Sequence, residues 1–201
     1  MRKFTCFISL MLTCFIGHTQ TLGGRCEGCE ALLEYGDQPL QSTDTLPDFQ
    51  KNEPKLVLSG TVFESDGQTP AEGVIIYVYH TNREGIYPTQ GNERGWARRH
   101  GYIRGWAITD QNGRYTFYTF QPASYPSRTD PAHIHMTIKE PGKKEYWIDS
   151  VHFEEDPLLT TKIRNNMSNR GGNGIVSPKQ QGNYLLVERN IILGENIPHY
   201  H

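Results

Sequence analysis

The stretch Gly105-Trp106-Ala107-Ile108-Thr109-Asp110-Gln111-Asn112-Gly113-Arg114-Tyr115-Thr116-Phe117-Tyr118-Thr119-Phe120 reads as two strands about a turn. Residues 105–109 and 114–120 are rich in aromatic and β-branched side chains, which pack well on a pleated surface. Asp110-Gln111-Asn112-Gly113 between them has a glycine free to take positive φ, so the pair is expected to form a hairpin. Working outward, residues 56–63 read as a strand closed by Ser65-Asp66-Gly67. Residues 74–80 read as another, with Tyr77 and Tyr79 on one face and Val78 and His80 on the other. Residues 133–138, 146–153 and 184–193 complete the strand candidates. Six or seven short strands at this spacing point to an all-β sandwich or barrel.

Composition agrees. There are 20 glycines and 12 prolines, and no long helical apolar pattern, which favours a turn-rich β domain. The formal charge of −2 supplies no basic footprint, so nucleic acid is not an expected partner. Residues 1–20 read as a signal peptide: Arg2 and Lys3 precede a short apolar run, 4–16, too short to span a bilayer. Cys14 lies inside that run after Thr13, a poor context for lipidation. The expected location is therefore secreted, periplasmic or at the cell surface, with no membrane span. In such a compartment Cys26 and Cys29 are expected to pair as a local disulfide, because no second cysteine pair completes a zinc site. Residues 21–54 form a lead-in with one helical candidate at 27–35, and residues 55–201 form the domain.

Two long loops, 81–104 and 121–131, interrupt the strands, and long loops in compact domains are often functional. The second runs into Pro131-Ala132-His133-Ile134-His135. Residues i and i+2 of a strand share a face, so His133 and His135 would present two imidazoles to one metal ion. His-x-His alone is a weak signal, since paired strand histidines are often plain polar surface. Tyr125 lies eight residues before His133, in Ala123-Ser124-Tyr125-Pro126, and Tyr87 lies in Gly85-Ile86-Tyr87-Pro88. A tyrosine by itself is most simply a half-buried aromatic with a bonded hydroxyl.

Taken together, these motifs resemble the intradiol ring-cleavage dioxygenases, of which protocatechuate 3,4-dioxygenase is one. The resemblance runs through Leu58-Ser59-Gly60-Thr61-Val62, the strand 74–79, Thr109 to Tyr115, Gln121 to Pro126, the His-x-His motif and Phe153-Glu154-Glu155-Asp156-Pro157. It implies a β-sandwich of about seven to nine strands with long functional loops. It also implies one non-haem Fe(III) held by Tyr87, Tyr125, His133 and His135, with Tyr102 as the competitor to Tyr87. Copper or zinc on the same ligands is an alternative, since both accept imidazole, but two phenolate oxygens suit hard ferric iron better. The implied reaction is O2-dependent cleavage of a catechol-type aromatic diol to a muconate-type diacid, Tyr125 leaving the metal to help take a substrate proton.

One departure stands out. The family commonly carries an arginine just before the Pro-Ala-His-x-His motif, and here the residue is Asp130. Arg128 is the expected replacement catalytic cation, with Arg98, Arg99 and Arg104 as other candidates. His100 is expected to be exposed, His152 to be a framework residue, and His199 and His201 to lie in a frayed end. The rival reading is a non-catalytic transthyretin-like or carbohydrate-binding sandwich, motivated by Gly60-Thr61-Val62, Asp66-Gly67 and Gly73-Val74.

Overall fold

The computed structural model describes residues 21–201. The signal peptide expected over 1–20 lies outside the described residues. In chain order the strands are β1 (Thr43–Thr45), β2 (Lys55–Phe63), β3 (Ile75–His80), β4 (Arg104–Ile108), β5 (Arg114–Phe120) and β6 (His133–Lys139). They continue with β7 (Tyr146–Phe153), β8 (Ile175–Val176), β9 (Lys179–Gln181), β10 (Tyr184–Glu188) and β11 (Ile191–Ile192). One sheet has the order β1-β5-β2-β10-β9, with β11 also on β2, and the other has β4-β3-β6-β7-β8. The two sheets form a sandwich. Its seven longer strands are those read from the sequence, and β1, β8 and β9 are short additions.

The Asp110–Gly113 turn corrects the hairpin expectation. It closes locally, with Gly113 N–H donating to Asp110 O at 2.8 Å and Gly113 at φ 70°. The strands on either side nevertheless part: β4 pairs with β3, while β5 pairs with β2. The turn is a corner that carries the chain from one sheet to the other. Both of its strands have a buried face, so each is better satisfied by a neighbour in its own layer.

Alternation then divides the second sheet. Ile76 and Val78 of β3, and Ile134, Met136 and Ile138 of β6, point into the core, meeting Leu56, Leu58 and Phe117 of the first sheet. The alternate residues Tyr77, Tyr79, His133 and His135 stand on the outer face. That face is not left to water. The lead-in lays a 3-10 helix, Cys29–Tyr35, across it, burying Ala31 and Leu32 against Tyr77. The helix starts after Gly28 at φ 87° and beside a Cys26–Cys29 disulfide, which is why the helical candidate at 27–35 begins two residues late. The long loop 81–104 covers the rest, with one helical turn, α1 (Ala97–His100), inside it.

The last strand candidate, 184–193, is also two pieces. β10 and β11 both run parallel to β2 and are separated by Arg189 and Asn190. The Arg189 carbonyl accepts from Tyr115 Oη at 2.6 Å and occupies the space a side chain at Gly60 would need. A second helix, α2 (Thr161–Asn166), is capped by Thr160 Oγ1, which accepts from Ile163 N–H at 3.3 Å.

Candidate metal centre

The site is assembled on the outer face of the second sheet. β6 supplies His133 and His135, two residues apart on one strand face. The loop after β3 supplies Tyr87 and the loop before β6 supplies Tyr125. Their backbones are pinned to each other: Asn82 O accepts from the N–H groups of Gly85 and Ala123, at 3.1 and 3.3 Å. Gly85 sits at φ 77°, and the Ser124 carbonyl fills the place of its missing Cβ. A side chain at position 85 would push the two tyrosine loops apart.

The four polar atoms close a ring. Tyr125 Oη lies 2.6 Å from Tyr87 Oη, which lies 2.8 Å from His135 Nε2. That nitrogen is 3.0 Å from His133 Nε2, which is 3.2 Å from Tyr125 Oη. The Nδ1–H of His133 donates to Pro131 O at 2.7 Å, so its Nε2 lone pair faces inward. Two phenol protons can serve at most two of the four contacts. Burial pushes the Tyr87 and Tyr125 phenols up and holds both imidazoles below their usual range, so all four groups are neutral when no cation faces them.

This arrangement fits a metal ion. Ligands about 2 Å from one ion and at right angles lie about 3 Å apart, which matches the ring. Among the described residues no three His, Cys, Asp or Glu side chains form such a group, so the tyrosine oxygens complete the set. Two imidazoles with two ionisable phenols offer two neutral nitrogens and two anionic oxygens, the donor chemistry of a hard trivalent cation.

Neighbouring rings brace it. Tyr79, opposite His135 in the β3–β6 register, stacks on that imidazole with centroids 4.4 Å apart. His100 stacks on the other face of Tyr79 at 3.8 Å. His100 corrects the sequence expectation: it is buried, because its Nδ1 lies 2.9 Å from Tyr77 Oη and the lead-in closes over it. His152 is half-buried on β7. Its Nδ1–H donates to Ser150 O at 3.1 Å, and its ring lies 5.6 Å from His133. It is outside the ring of four. His199 and His201 are exposed at the chain end.

Tyr102 and Arg128 lie elsewhere. The Tyr102 hydroxyl donates to Asp48 Oδ2 at 2.6 Å, away from the ring of four, so of the two tyrosines it is Tyr87 that lies beside Tyr125 and His135. Arg128 is exposed, with φ 54°, and lines a separate hollow of about 550 Å³ with Arg83, Glu155 and Asp156. It does not join the tyrosines and histidines. The arginine beside them is Arg99, paired with Glu27 at the rim of a cleft of about 240 Å³ that Tyr87, Tyr125 and His135 line. Arg104 pairs with Glu34 at 2.5 Å and lies over the Trp106 ring. Nothing in the lead-in sequence marked Glu27 as a site residue. Tyr79 had a signal, its shared face with Tyr77, but no indication that β6 would lie opposite.

A family model described as Dioxygenase matches residues 35–181. Among curated proteins, catechol 1,2-dioxygenase of Acinetobacter baylyi is 29% identical over 110 residues, 45% of this chain and 33% of its own length. The protocatechuate 3,4-dioxygenase beta chain of Burkholderia cepacia is 26% identical over 111 residues, 52% of this chain and 47% of its own. The matched region thus spans a third to a half of these relatives. Among solved structures, the dioxygenase domain of a dioxygenase carbohydrate-binding protein fusion from Streptomyces sp. SirexAA-E superposes with a TM-score of 0.58 at 20% identity. That match covers 79% of this chain and 90% of that one. The intradiol ring-cleavage dioxygenase from Tetranychus urticae gives 0.55 at 18% identity, over 78% and 87%. At these identities the structural likeness establishes the fold alone.

Proposed function

The chain belongs to the intradiol ring-cleavage dioxygenase family, and on that premise we propose that it binds one non-haem Fe(III) and cleaves a catechol-type aromatic diol with O2, giving a muconate-type diacid. The observation that carries the reading is the closed ring of Tyr87, Tyr125, His133 and His135 donor atoms. When bound, ferric iron supplies a Lewis acid that orients the diol and opens it to O2.

The chain's own residues have separable tasks. The Pro131 carbonyl fixes the His133 tautomer, so its Nε2 is always ready as a donor. Tyr79 holds the His135 ring in plane from one side. Tyr87 and Tyr125 give up their protons on loading. Tyr125 sits on a loop, 121–131, outside any strand, so its phenolate oxygen can swing clear and accept a proton from the incoming diol. Tyr87 lies against Tyr79, centroids 5.7 Å apart, and stays in place. Arg99 is the cation nearest the cleft and can offset negative charge on the substrate.

Secretion, or export to the periplasm or cell surface, forms part of the proposal, supported by the Cys26–Cys29 disulfide and the composition of residues 1–20. Among the described residues no helix is long and apolar enough to cross a membrane. The partners are a small aromatic diol and O2.

The test is the visible spectrum of the purified protein, with metal content measured on the same sample. Wine-red protein with one iron per chain, turning colourless in His133→Ala and His135→Ala, is expected from tyrosinate on ferric iron. Protein that stays colourless after ferric iron is added would overturn the proposal.

A further inference from the structure

We propose that a larger cleft beside the four donor atoms is a second binding region, shaped for the substituent of a diol larger than catechol: an aromatic diol bearing a second, uncharged and hydroxylated ring. The inference rests on the dioxygenase reading and adds its substrate class. The small cleft at Tyr87 and Tyr125 holds about 240 Å³, below the roughly 300–1,000 Å³ of most complete ligand sites. A second cleft of about 500 Å³ opens beside it along β6 and β7. The two share Glu27, Tyr79, His100 and His135 as lining, so they adjoin at the His135 end. The larger cleft is therefore the roomy space next to a diol seated at the tyrosines.

The lining sets the chemistry. Trp147 and Met167 give the larger cleft apolar and aromatic surface, which suits a flat ring. Ser150, His152 and Ser168 add neutral hydrogen-bonding groups. The His152 Nδ1–H is taken by Ser150 O, which leaves its Nε2 lone pair as an acceptor for a hydroxyl proton. The charged groups of the lining are the carboxyl groups Glu27 and Asp149, and among the described residues no lysine or arginine lines it. Glu27 is paired with Arg99, and an anionic substituent finds no cation among the described lining residues to pair with. A second ring bearing a hydroxyl meets aromatic surface and an imidazole acceptor.

The experiment compares catechol, 3,4-dihydroxybenzoate and 4-(4-hydroxybenzyl)benzene-1,2-diol on the iron-loaded protein. O2 uptake gives kcat/KM, and anaerobic calorimetry on loaded and metal-free protein gives binding. The two-ring diol is expected to exceed catechol in kcat/KM by tenfold or more, and the carboxylate to fall below catechol. Ser168→Trp, a change at an exposed rim position, should cut the two-ring to catechol ratio at least tenfold. His152→Phe should lower the preference for the hydroxylated second ring over a plain phenyl analogue about fivefold. Catechol turnover with no two-ring preference, or a ratio unmoved by Ser168→Trp, overturns the second region and leaves the dioxygenase reading standing. No turnover of any diol, with two-ring binding to the metal-free protein that Ser168→Trp abolishes, sustains the region and overturns the dioxygenase reading. Neither turnover nor binding overturns both.

Discussion

Tyr79 stands opposite His135 in the β3–β6 ladder with its ring 4.4 Å from the imidazole and 13° from parallel, while His100 lies on its other face at 3.8 Å and 4°. The three rings make one stack with Tyr79 in its middle, and His135 at one end is a proposed metal ligand. A ligand held by stacking needs little reorganisation when the ion arrives.

The ring of Tyr79, not its hydroxyl, does the bracing. Tyr79→Phe should keep iron content and colour. Tyr79→Ala should cost about 3 kcal/mol of stability, the lower end for removing a large aromatic, and should lower iron occupancy. Denaturant melts together with metal analysis check both.

Tyr87→Phe and Tyr102→Phe should separate cleanly. The first removes one oxygen from the ring of four and should lose or strongly shift the visible band. The second removes a hydroxyl that meets only Asp48, so colour should persist while stability falls by about 1–2 kcal/mol. Spectra of the two variants at equal iron content decide it.

The charge beside the cleft belongs to Arg99. Arg99→Ala should lower kcat/KM several-fold, yet shift stability by less than about 1 kcal/mol, because its pair with Glu27 is exposed. Arg128→Ala, in a different hollow, should leave the kinetics near those of the parent protein. Steady-state oxygen uptake distinguishes them.

Acid should weaken the fold through His80. Its ring is fully buried, its Nδ1–H donating to Thr81 O at 2.8 Å and its Nε2 accepting from Thr119 Oγ1 at 2.6 Å. Burial pushes its pKa down to about 4. The unfolded chain binds the proton first, near pH 6.5, so stability is full above that value and falls as pH drops towards 4. The loss is about 3 kcal/mol from this residue. His100, also lowered to about 4 by burial, acts in the same direction. Denaturant midpoints between pH 4 and 7 should show the slope, and His80→Gln should reduce it.

Gly28 offers a test of how the lead-in closes over the site. It sits at φ 87°, and a Cβ there would lie 2.9 Å from His100 Nε2. Gly28→Ala should destabilise by about 2–3 kcal/mol, from left-handed strain and overpacking together. It should also disturb the His100–Tyr79 stack. Thermal melts of the variant check the first, and near-ultraviolet circular dichroism the second.

The sequence alone determined everything that rests on local period and local chemistry. Alternation in 74–80 and 133–138 placed Tyr77 with Tyr79, and His133 with His135, on shared faces, because strand geometry requires it. The spacing of Cys26 and Cys29 pointed to a local disulfide, and motif order carried the family resemblance, which implied the four proposed ligands. Only the tertiary structure decided which strands meet. Asp110–Gly113 is a turn in either reading, but whether it makes a hairpin or a corner depends on which layer each strand buries its face in. The same holds for His100, Arg99 and Arg128. Each is a polar residue in a glycine- or proline-rich loop, where no periodicity fixes direction. His100 is buried because Tyr77, Tyr79 and the lead-in helix close around it, and Arg99 reaches the cleft because Glu27 waits there from a distant segment. Contacts between segments far apart in the chain are set by packing of whole layers, and no single stretch of sequence encodes them.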